Sequence, residues 1–310
     1  MSDLSQRDAF WNRIYEHASR DREVVIVTAD MGAPALDRIR LELPSQFVNV
    51  GIAEQNAITL SAGLALSGKK VFAYAIAPFI TLRCLEQIRV NSGIMQIPIA
   101  VVGVGAGFGY ADSGPTHHII EDLAVMRSMA HVSIDSVTDN VMAAAVADLA
   151  VAGPSSRYIR LDREPLPDLH SRETDFSEGV AVLRRSPGAY IVATGCMTHV
   201  AMSVSDDLAK QGIPVGVIDL YRFPVNEPLF LEAVRDAGRL VTLEEHFLPG
   251  GLGSAVCETL ADHGVTVPVK RLGLRHEDGY CYEYGGRESI RRHYGLDTPS
   301  ILSAVRAFLA

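Results

Sequence analysis

Blocks of hydrophobic residues alternate with longer amphipathic segments along most of the chain, and this pattern predicts strands that are joined by helices. The apolar runs at residues 24–28 and 97–104 have the length of strands that are buried on both faces. Between such runs lie segments with helical periodicity, including residues 4–19 and 138–152. This alternation is typical of parallel sheets with helical crossovers. The sequence therefore predicts an α/β fold with two doubly wound, mostly parallel sheets.

The predicted elements fall into two groups, which indicates two domains. Residues 163–168 combine two prolines with charged residues and have no apolar period, so they have the composition of a linker. We place the domains at residues 1–170 and 171–310. The predicted strands lie at 24–28, 47–50, 71–76, 97–104, 131–134, 158–161, 190–193, 215–220, 240–244 and 267–272. The predicted helices lie at 4–19, after Glu54, and at 78–91, 119–129, 138–152, 198–211, 226–237, 252–263 and 300–309.

Composition narrows the class of protein. A net charge of -9 argues against nucleic acid or an anionic membrane surface as the main partner. The four cysteines lie far apart without a CxxC pair, which predicts reduced thiols rather than a disulfide or zinc framework. We find no apolar run of membrane-spanning length and no signal-peptide pattern at the N-terminus, and therefore expect a cytoplasmic protein.

An acidic residue stands at the junction between a predicted strand and an almost wholly apolar helix. The stretch GIAEQN at residues 51–56 places Glu54 there, and the following residues 57–66 carry no charge. A carboxyl at such a position is suited to proton transfer. It is equally suited to a plain structural role, in which a first-turn acid interacts favourably with the helix dipole. From composition alone the structural role is the commoner one.

Three further stretches carry chemical information. A glycine-rich loop ends in SGPTHH at residues 113–118, Arg163 follows an apolar run, and TLEEH at residues 242–246 precedes GGLG at residues 250–253. Each is ambiguous alone, since a loop histidine such as His117 is more often solvated or paired than catalytic. The EEH segment suggests a structural contact, with GGLG as a tight turn between strand and helix.

Taken in this order, the four stretches resemble the C-terminal two-thirds of transketolase and of 1-deoxyxylulose-5-phosphate synthase. GIAEQNA, GPTHH and the EEH/GGLG pair carry the resemblance, which covers nearly the whole chain. It implies a thiamine-diphosphate pyrimidine-binding domain at residues 1–170 and a transketolase C-terminal domain at residues 171–310. The GDG motif of the family's diphosphate-binding domain does not occur in the sequence. The resemblance therefore implies one subunit of a split transketolase.

The resemblance also implies the cofactor, the partner and several site residues. Thiamine diphosphate would be shared with a separate N-terminal, diphosphate-binding subunit that holds Mg²⁺ or Ca²⁺, with two copies of each chain. Glu54 matches the acid that bonds pyrimidine N1′ and so activates the thiazolium carbon. His117 matches the histidine that faces the substrate's first hydroxyl. Asp30 matches an acid near the thiazolium, although a turn-forming aspartate would look the same, and Tyr74 and Phe79 could supply the aromatic contact with the pyrimidine.

The substrate end is less well matched. Arg163 and Arg7 stand where the family binds the distal phosphate of the sugar, a task that suits planar guanidinium groups, although Arg7 could equally be a solvated helix residue. Ser113 replaces an acid before Gly-Pro. Further departures are Pro34 for a phosphate-binding serine, Gly105 for a substrate histidine, and Ala77 and Ile80 for the aromatic shelf. The donor and acceptor sugars, and the nature of the distal anion, therefore stay open.

Three functions compete at this point. The leading interpretation is a thiamine-diphosphate-dependent transketolase subunit that transfers a two-carbon ketol unit from a ketose to an aldose. The nearest alternative is a synthase or dehydrogenase component that decarboxylates a 2-oxo acid on the same cofactor. A non-catalytic scaffold is the third, although such a protein would be expected to have lost the acid at position 54.

Overall fold

The computed structural model describes residues 4–310, which form two α/β units, each built on one sheet. Within these residues the first sheet has seven strands in the order β10-β5-β6-β4-β3-β1-β2 and the second has five in the order β12-β11-β8-β9-β7. Neighbouring strands are parallel except for the β10–β5 and β7–β9 pairs. The strands are β1 (Val24–Thr28), β2 (Phe47–Asn49), β3 (Lys70–Ile76), β4 (Ile99–Val104), β5 (Val132–Ser136), β6 (Ser156–Leu161), β7 (Val180–Arg184), β8 (Ala189–Ala193), β9 (Gly216–Leu220), β10 (Arg222–Phe223), β11 (Arg239–Phe247) and β12 (Val269–Leu274).

Helices connect most of these strands, as the alternating pattern predicts. The prediction of two mostly parallel α/β sheets is therefore confirmed. The helices are α1 (Gln6–Ala18), α2 (Pro34–Glu42), α3 (Glu54–Leu66), α4 (Ala77–Ile80), α5 (Leu85–Ile88), α6 (Asp122–Arg127), α7 (Asn140–Ala152), α8 (Met197–Lys210), α9 (Glu227–Ala233), α10 (Leu252–Asp262), α11 (Arg287–His293) and α12 (Thr298–Leu309).

The parallel direction of the first sheet brings several loops to one edge. Strands β1 to β6 all run the same way, so their carboxyl ends meet at that edge. In open α/β sheets this edge is where ligands bind. Beneath it, α1 closes an aromatic core in which the ring of Trp11 lies 5.0 Å from that of Tyr74 and the ring of Phe10 lies 6.2 Å from that of Phe72.

The structure corrects the predicted elements at several points. The helix predicted over residues 78–91 is interrupted, because a 3₁₀ turn at Leu82–Cys84 separates α4 from α5 and a π-helical turn follows at Arg89–Ile94. Helices α2 and α11 and strands β7 and β10 were not predicted. Strand β10 comes after the predicted linker yet pairs with β5 of the first sheet, with Phe223 opposite Ile134. The domain boundary at residue 170 stays a prediction.

Buried polar contacts join the two units around Glu245. Its carboxylate accepts a hydrogen bond from the backbone N–H of Phe108 at 2.9 Å and from the guanidinium groups of Arg287 and Arg291, each at 2.7 Å. Burial alone would raise the pKa of Glu245, but the two arginines hold it well below its usual range. Neighbouring Glu244 accepts bonds from the N–H groups at the start of α10. The structural role that the sequence predicts for this segment is confirmed.

The structure bears on two predictions from composition, the one on the cysteines and the one on membrane-spanning segments. Cys84, Cys196 and Cys281 are buried, Cys257 is partly buried, and all four are free thiols. Across residues 4–310, none of the helices combines the length and apolar character that crossing a membrane requires.

Candidate active site at the carboxyl edge of the first sheet

Glu54 is the first residue of α3, directly after the turn that follows β2. Its side chain is almost fully buried, at 4% exposure, and Oε2 accepts a hydrogen bond from Nη1 of Arg83 at 2.7 Å. The Arg83 side chain is 43% exposed. The site therefore pairs a buried carboxylate with a cation that reaches solvent.

Phe79 lies beside this ion pair, on the short helix α4 that follows β3. The Cζ atom of Arg83 lies 4.2 Å from the centroid of the Phe79 ring. The two residues are four positions apart, a spacing that puts side chains on the same face of a helical segment. The guanidinium thus contacts the Glu54 carboxylate and the Phe79 ring together. Cys84 underlies this arrangement, and burial together with the charge of Glu54 raises the pKa of its thiol to about 12.

His117 approaches the same ring from the loop after β4. Its imidazole lies 5.1 Å from the Phe79 ring at an interplanar angle of 71°, and its Nδ1 atom lies 3.0 Å from the hydroxyl of Thr116. Ser113 is exposed at the start of the SGPTHH segment, where its N–H donates to the carbonyl of Tyr110 at 2.9 Å. The loop therefore brings an imidazole into edge contact with the Phe79 ring.

Tyr110 links this loop to the arginine side of the site. Its ring lies 6.2 Å from that of His117, and Cζ of Arg163 lies 4.6 Å from its centroid. Gly105 has φ of 92°, and a Cβ atom built there would lie 2.2 Å from the Tyr110 ring. Tyr110 therefore occupies the space that a side chain at position 105 would need. Burial raises the pKa of Tyr110, while the positive charges of Arg163 and Arg7 oppose the shift.

The remaining predicted residues each contact neighbours of their own. Arg7 is half-buried near the start of α1 and pairs with Asp8 at 3.0 Å. Asp30 follows β1 with φ of 54°, is exposed, and accepts a hydrogen bond from Nδ2 of Asn49 at 3.1 Å. Tyr74 is fully buried against Trp11 in the core, and burial raises the pKa of its phenol well above the usual range. Because Tyr74 has no exposed surface, the prediction of an aromatic contact narrows to Phe79.

Arg83 and Tyr110 belong to the candidate site and were missed by the sequence interpretation. The spacing of Phe79 and Arg83 was a usable signal, since four residues along a helix place a guanidinium over a ring. Tyr110 had no comparable signal, because its position follows from the backbone path at Gly105. Within residues 4–310, no group of three or more His, Cys, Asp or Glu side chains is arranged to hold a metal ion.

Comparison with known proteins identifies the two units. The family model described as the transketolase pyrimidine-binding domain matches residues 2–168, and that of the transketolase C-terminal domain matches residues 178–301. The chain is 35% identical to an apulose-4-phosphate transketolase subunit of Phocaeicola vulgatus, over 99% of this chain and 98% of that protein. It is 31% identical to a 6-deoxy-6-sulfo-D-fructose transketolase subunit of Clostridium sp. strain MSTE9, over 96% of this chain and 92% of that protein.

A solved structure supports the same assignment. An inactive beta4 tetramer of a split-gene transketolase superimposes with a TM-score of 0.88 at 30% identity, and the match covers 98% of both chains. Full-length coverage means that the likeness includes both sheets and the segments at the carboxyl edge of the first. The chain belongs to the transketolase family, of which it carries the pyrimidine-binding and C-terminal domains.

Proposed function

We propose that this chain is one subunit of a thiamine-diphosphate-dependent transketolase that moves a two-carbon ketol unit from a ketose to an aldose. The observation that carries the proposal is the buried carboxyl of Glu54 beside the partly exposed ring of Phe79. The relatives that match over nearly their whole length are themselves named as transketolase subunits.

The residues beside Glu54 fit an aminopyrimidine. Such a ring needs a hydrogen-bonding group at one edge and an aromatic surface against its face. Glu54 offers the first and Phe79 the second, and the planar guanidinium of Arg83 already contacts both, so a flat group can be accommodated there. When bound, thiamine diphosphate supplies the carbanion that accepts and transfers the two-carbon unit.

This chain's own residues would manage protons and orientation. Oε2 of Glu54 would hold the proton that it shares with pyrimidine N1′, at a helix start where water is largely excluded. Phe79 would fix the plane of the ring. The imidazole of His117, 5.1 Å from Phe79, would donate to or accept from a hydroxyl of the bound sugar.

The arginines and Tyr110 suit a sugar with an anionic end. Arg163 stacks on Tyr110 and keeps its guanidinium exposed, and Arg7 is near enough to act electrostatically on the same phenol. A guanidinium binds phosphate and similar oxyanions through paired hydrogen bonds. The names of the two relatives contain a phosphate and a sulfo group. We therefore place the distal anion, phosphate or sulfonate, against Arg163, with Ser113 at the rim.

A second chain would complete the site. Helix α3 carries no charge after Glu54, yet Leu60 and Leu66 are exposed, at 37% and 70%. Uncharged exposed faces of this kind mark interfaces. The partner would supply the diphosphate-binding domain and Mg²⁺ or Ca²⁺, and exposed Asp30 would face the shared cofactor from this side. Two copies of each chain would give a closed assembly.

Reconstitution with a diphosphate-binding partner chain tests the proposal. With thiamine diphosphate, Mg²⁺, a ketose phosphate and an aldose, we expect ketol transfer that neither chain supports alone. Carbon dioxide release from pyruvate, without ketol transfer, would favour the 2-oxo-acid-decarboxylating alternative. An assembled pair that binds the cofactor and turns over none of these substrates would favour the non-catalytic scaffold.

A further inference from the structure

One cation lies between the two groups that the proposed function assigns to the pyrimidine. Nη1 of Arg83 is 2.7 Å from Oε2 of Glu54, and Cζ of Arg83 is 4.2 Å from the centroid of the Phe79 ring. A heterocycle that bonds Oε2 of Glu54 and stacks on the face of Phe79 that Arg83 covers would occupy the position of the guanidinium. The guanidinium and the heterocycle cannot use both surfaces at once.

We infer that Arg83 is a placeholder, which fills the pyrimidine slot in the cofactor-free protein and is displaced when the cofactor binds. The inference rests on the proposed function, since it takes Glu54 and Phe79 as the groups that contact the pyrimidine. It adds a role for Arg83, whose side chain must move before the pyrimidine ring can enter the site.

The physical reason for a placeholder lies in the burial of Glu54. A buried carboxylate without a partner is costly, and a cation that bonds to it removes much of that cost. Among cations, a guanidinium is planar, donates hydrogen bonds from one edge and stacks on aromatic rings. The flat shape and the stacking match those of an aminopyrimidine, although the pyrimidine N1′ shares a proton that Glu54 holds, whereas the guanidinium donates its own. Arg83 thus satisfies Glu54 and covers Phe79 in the absence of the cofactor.

The surroundings allow the side chain to leave while the backbone stays. The Arg83 side chain is 43% exposed, so it already borders the water into which its guanidinium would move. Its backbone carbonyl accepts a hydrogen bond from Nε2 of Gln55 at 3.0 Å, and the next residue, Cys84, is fully buried with its thiol 3.3 Å from the carbonyl of Phe79. Displacement therefore requires rotation of one side chain rather than movement of a helix.

The sign of a substitution effect distinguishes this role from ordinary electrostatics. Cofactor binding must break the Glu54–Arg83 pair, so the pair lowers cofactor affinity, and its removal should raise that affinity. General electrostatics predicts the opposite, because thiamine diphosphate carries a negatively charged diphosphate and the loss of a nearby cation weakens its binding. If Arg83 itself bound the cofactor, its replacement would also lower the cofactor affinity.

The test measures thiamine-diphosphate affinity by equilibrium dialysis in the reconstituted pair, without substrate. We expect Arg83→Met to tighten binding by roughly threefold to thirtyfold, the range for loss of a partly exposed ion pair and a cation–π contact. Arg83→Lys keeps the charge but lacks the planar group, so its thiamine-diphosphate affinity should fall between those of the wild type and Arg83→Met. Arg89→Met is the matched control, because Arg89 is exposed six positions further along the chain. Weaker binding by Arg83→Met than by Arg89→Met, or equal binding by the two, would overturn the inference.

A second measurement needs no cofactor. Unfolding of the full chain alone is compared for Glu54→Gln, Arg83→Met and the double variant, which isolates the coupling between the two side chains. We expect a favourable coupling, and a coupling of zero would contradict the placeholder. A wild-type pair that binds no thiamine diphosphate would instead contradict the proposed function itself.

Discussion

The backbone N–H of Phe108 donates a hydrogen bond to the carboxylate of Glu245 at 2.9 Å. Phe108 belongs to the glycine-rich loop that leads to His117, whereas Glu245 lies on β11 of the second unit. This bond ties the loop that presents the imidazole to the C-terminal domain. The second domain therefore helps to hold the candidate active site in place.

Loss of the Glu245 carboxylate should destabilise the protein strongly. Glu245→Ala leaves Arg287 and Arg291 buried without their shared anion, which costs about 3–5 kcal/mol. Glu288 is the matched control, because it also pairs with Arg291 but is 68% exposed. Glu288→Gln should cost less than about 1 kcal/mol. Chemical denaturation measures both, and equal effects would contradict the role given to Glu245.

Acid should destabilise the protein through His246. Burial lowers the pKa of His246 to about 4, below the value of about 6.5 for an unfolded histidine. Below pH 6.5 the unfolded chain binds a proton that the folded chain does not, so stability falls as the pH falls towards 4. The slope is at most about 1.4 kcal/mol per pH unit and the total about 3 kcal/mol.

Substitution separates this contribution from that of other acidic groups. In His246→Gln the loss of stability between pH 6.5 and 4 should be shallower than in the wild type. Denaturant titrations of the wild type and of His246→Gln at several pH values give these slopes, and identical slopes for the two proteins would refute the prediction.

A charge on the exposed face of α3 should block assembly. Gly63 is exposed, and a Cβ atom there would have no neighbour within 4 Å, so Gly63→Glu fits the isolated chain and improves helix propensity. In an interface the new carboxylate would be buried without a partner, and association should weaken by at least about tenfold. Ala209→Glu, on the exposed face of α8, is the control. Sedimentation with the partner chain measures the effect, and undiminished association would place the interface elsewhere.

Arg163 should matter only for substrates with an anionic end. A charge-assisted hydrogen bond contributes about 1.5–3 kcal/mol, so Arg163→Met should lower kcat/KM roughly tenfold to hundredfold for a sugar phosphate. For a neutral sugar of the same chain length, kcat/KM should change little in Arg163→Met. Steady-state kinetics on both substrates tests this, and an equal loss for the two would assign Arg163 to the architecture of the loop rather than to the anion.

Much of the fold follows from local pattern, and the parts that do not have identifiable causes. Buried strands such as β1 and β4 were predicted because their apolar runs are continuous. Strand β10 was missed because two residues, Arg222 and Phe223, carry no periodic signal and become a strand only by pairing with β5. The break in the predicted helix over residues 78–91 was missed because helical periodicity does not reveal local 3₁₀ and π turns.

The residues of the candidate site also divide into those that were predicted and those that were not. The resemblance to the family indicated Glu54, Phe79, His117 and Arg163, and in the structure each of them follows a strand that runs in the common direction of the first sheet, so that they lie at one edge. Tyr74 looked like an available ring in the sequence, but its direction from β3 places it in the core against Trp11. The position of Arg83 depends on three-dimensional contacts with Glu54 and Phe79, which no linear pattern encodes completely.

The central claim is that the carboxyl of Glu54 moves a proton during turnover. It is tested most directly by Glu54→Gln in the reconstituted pair, with the rate of ketol transfer measured at saturating thiamine diphosphate. Glu86→Gln, at an exposed acid on α5, is the control and should keep the wild-type rate. The account predicts a fall of about 10²–10⁴-fold for Glu54→Gln, the usual contribution of a general acid–base group. A wild-type rate in the Glu54→Gln pair would contradict it.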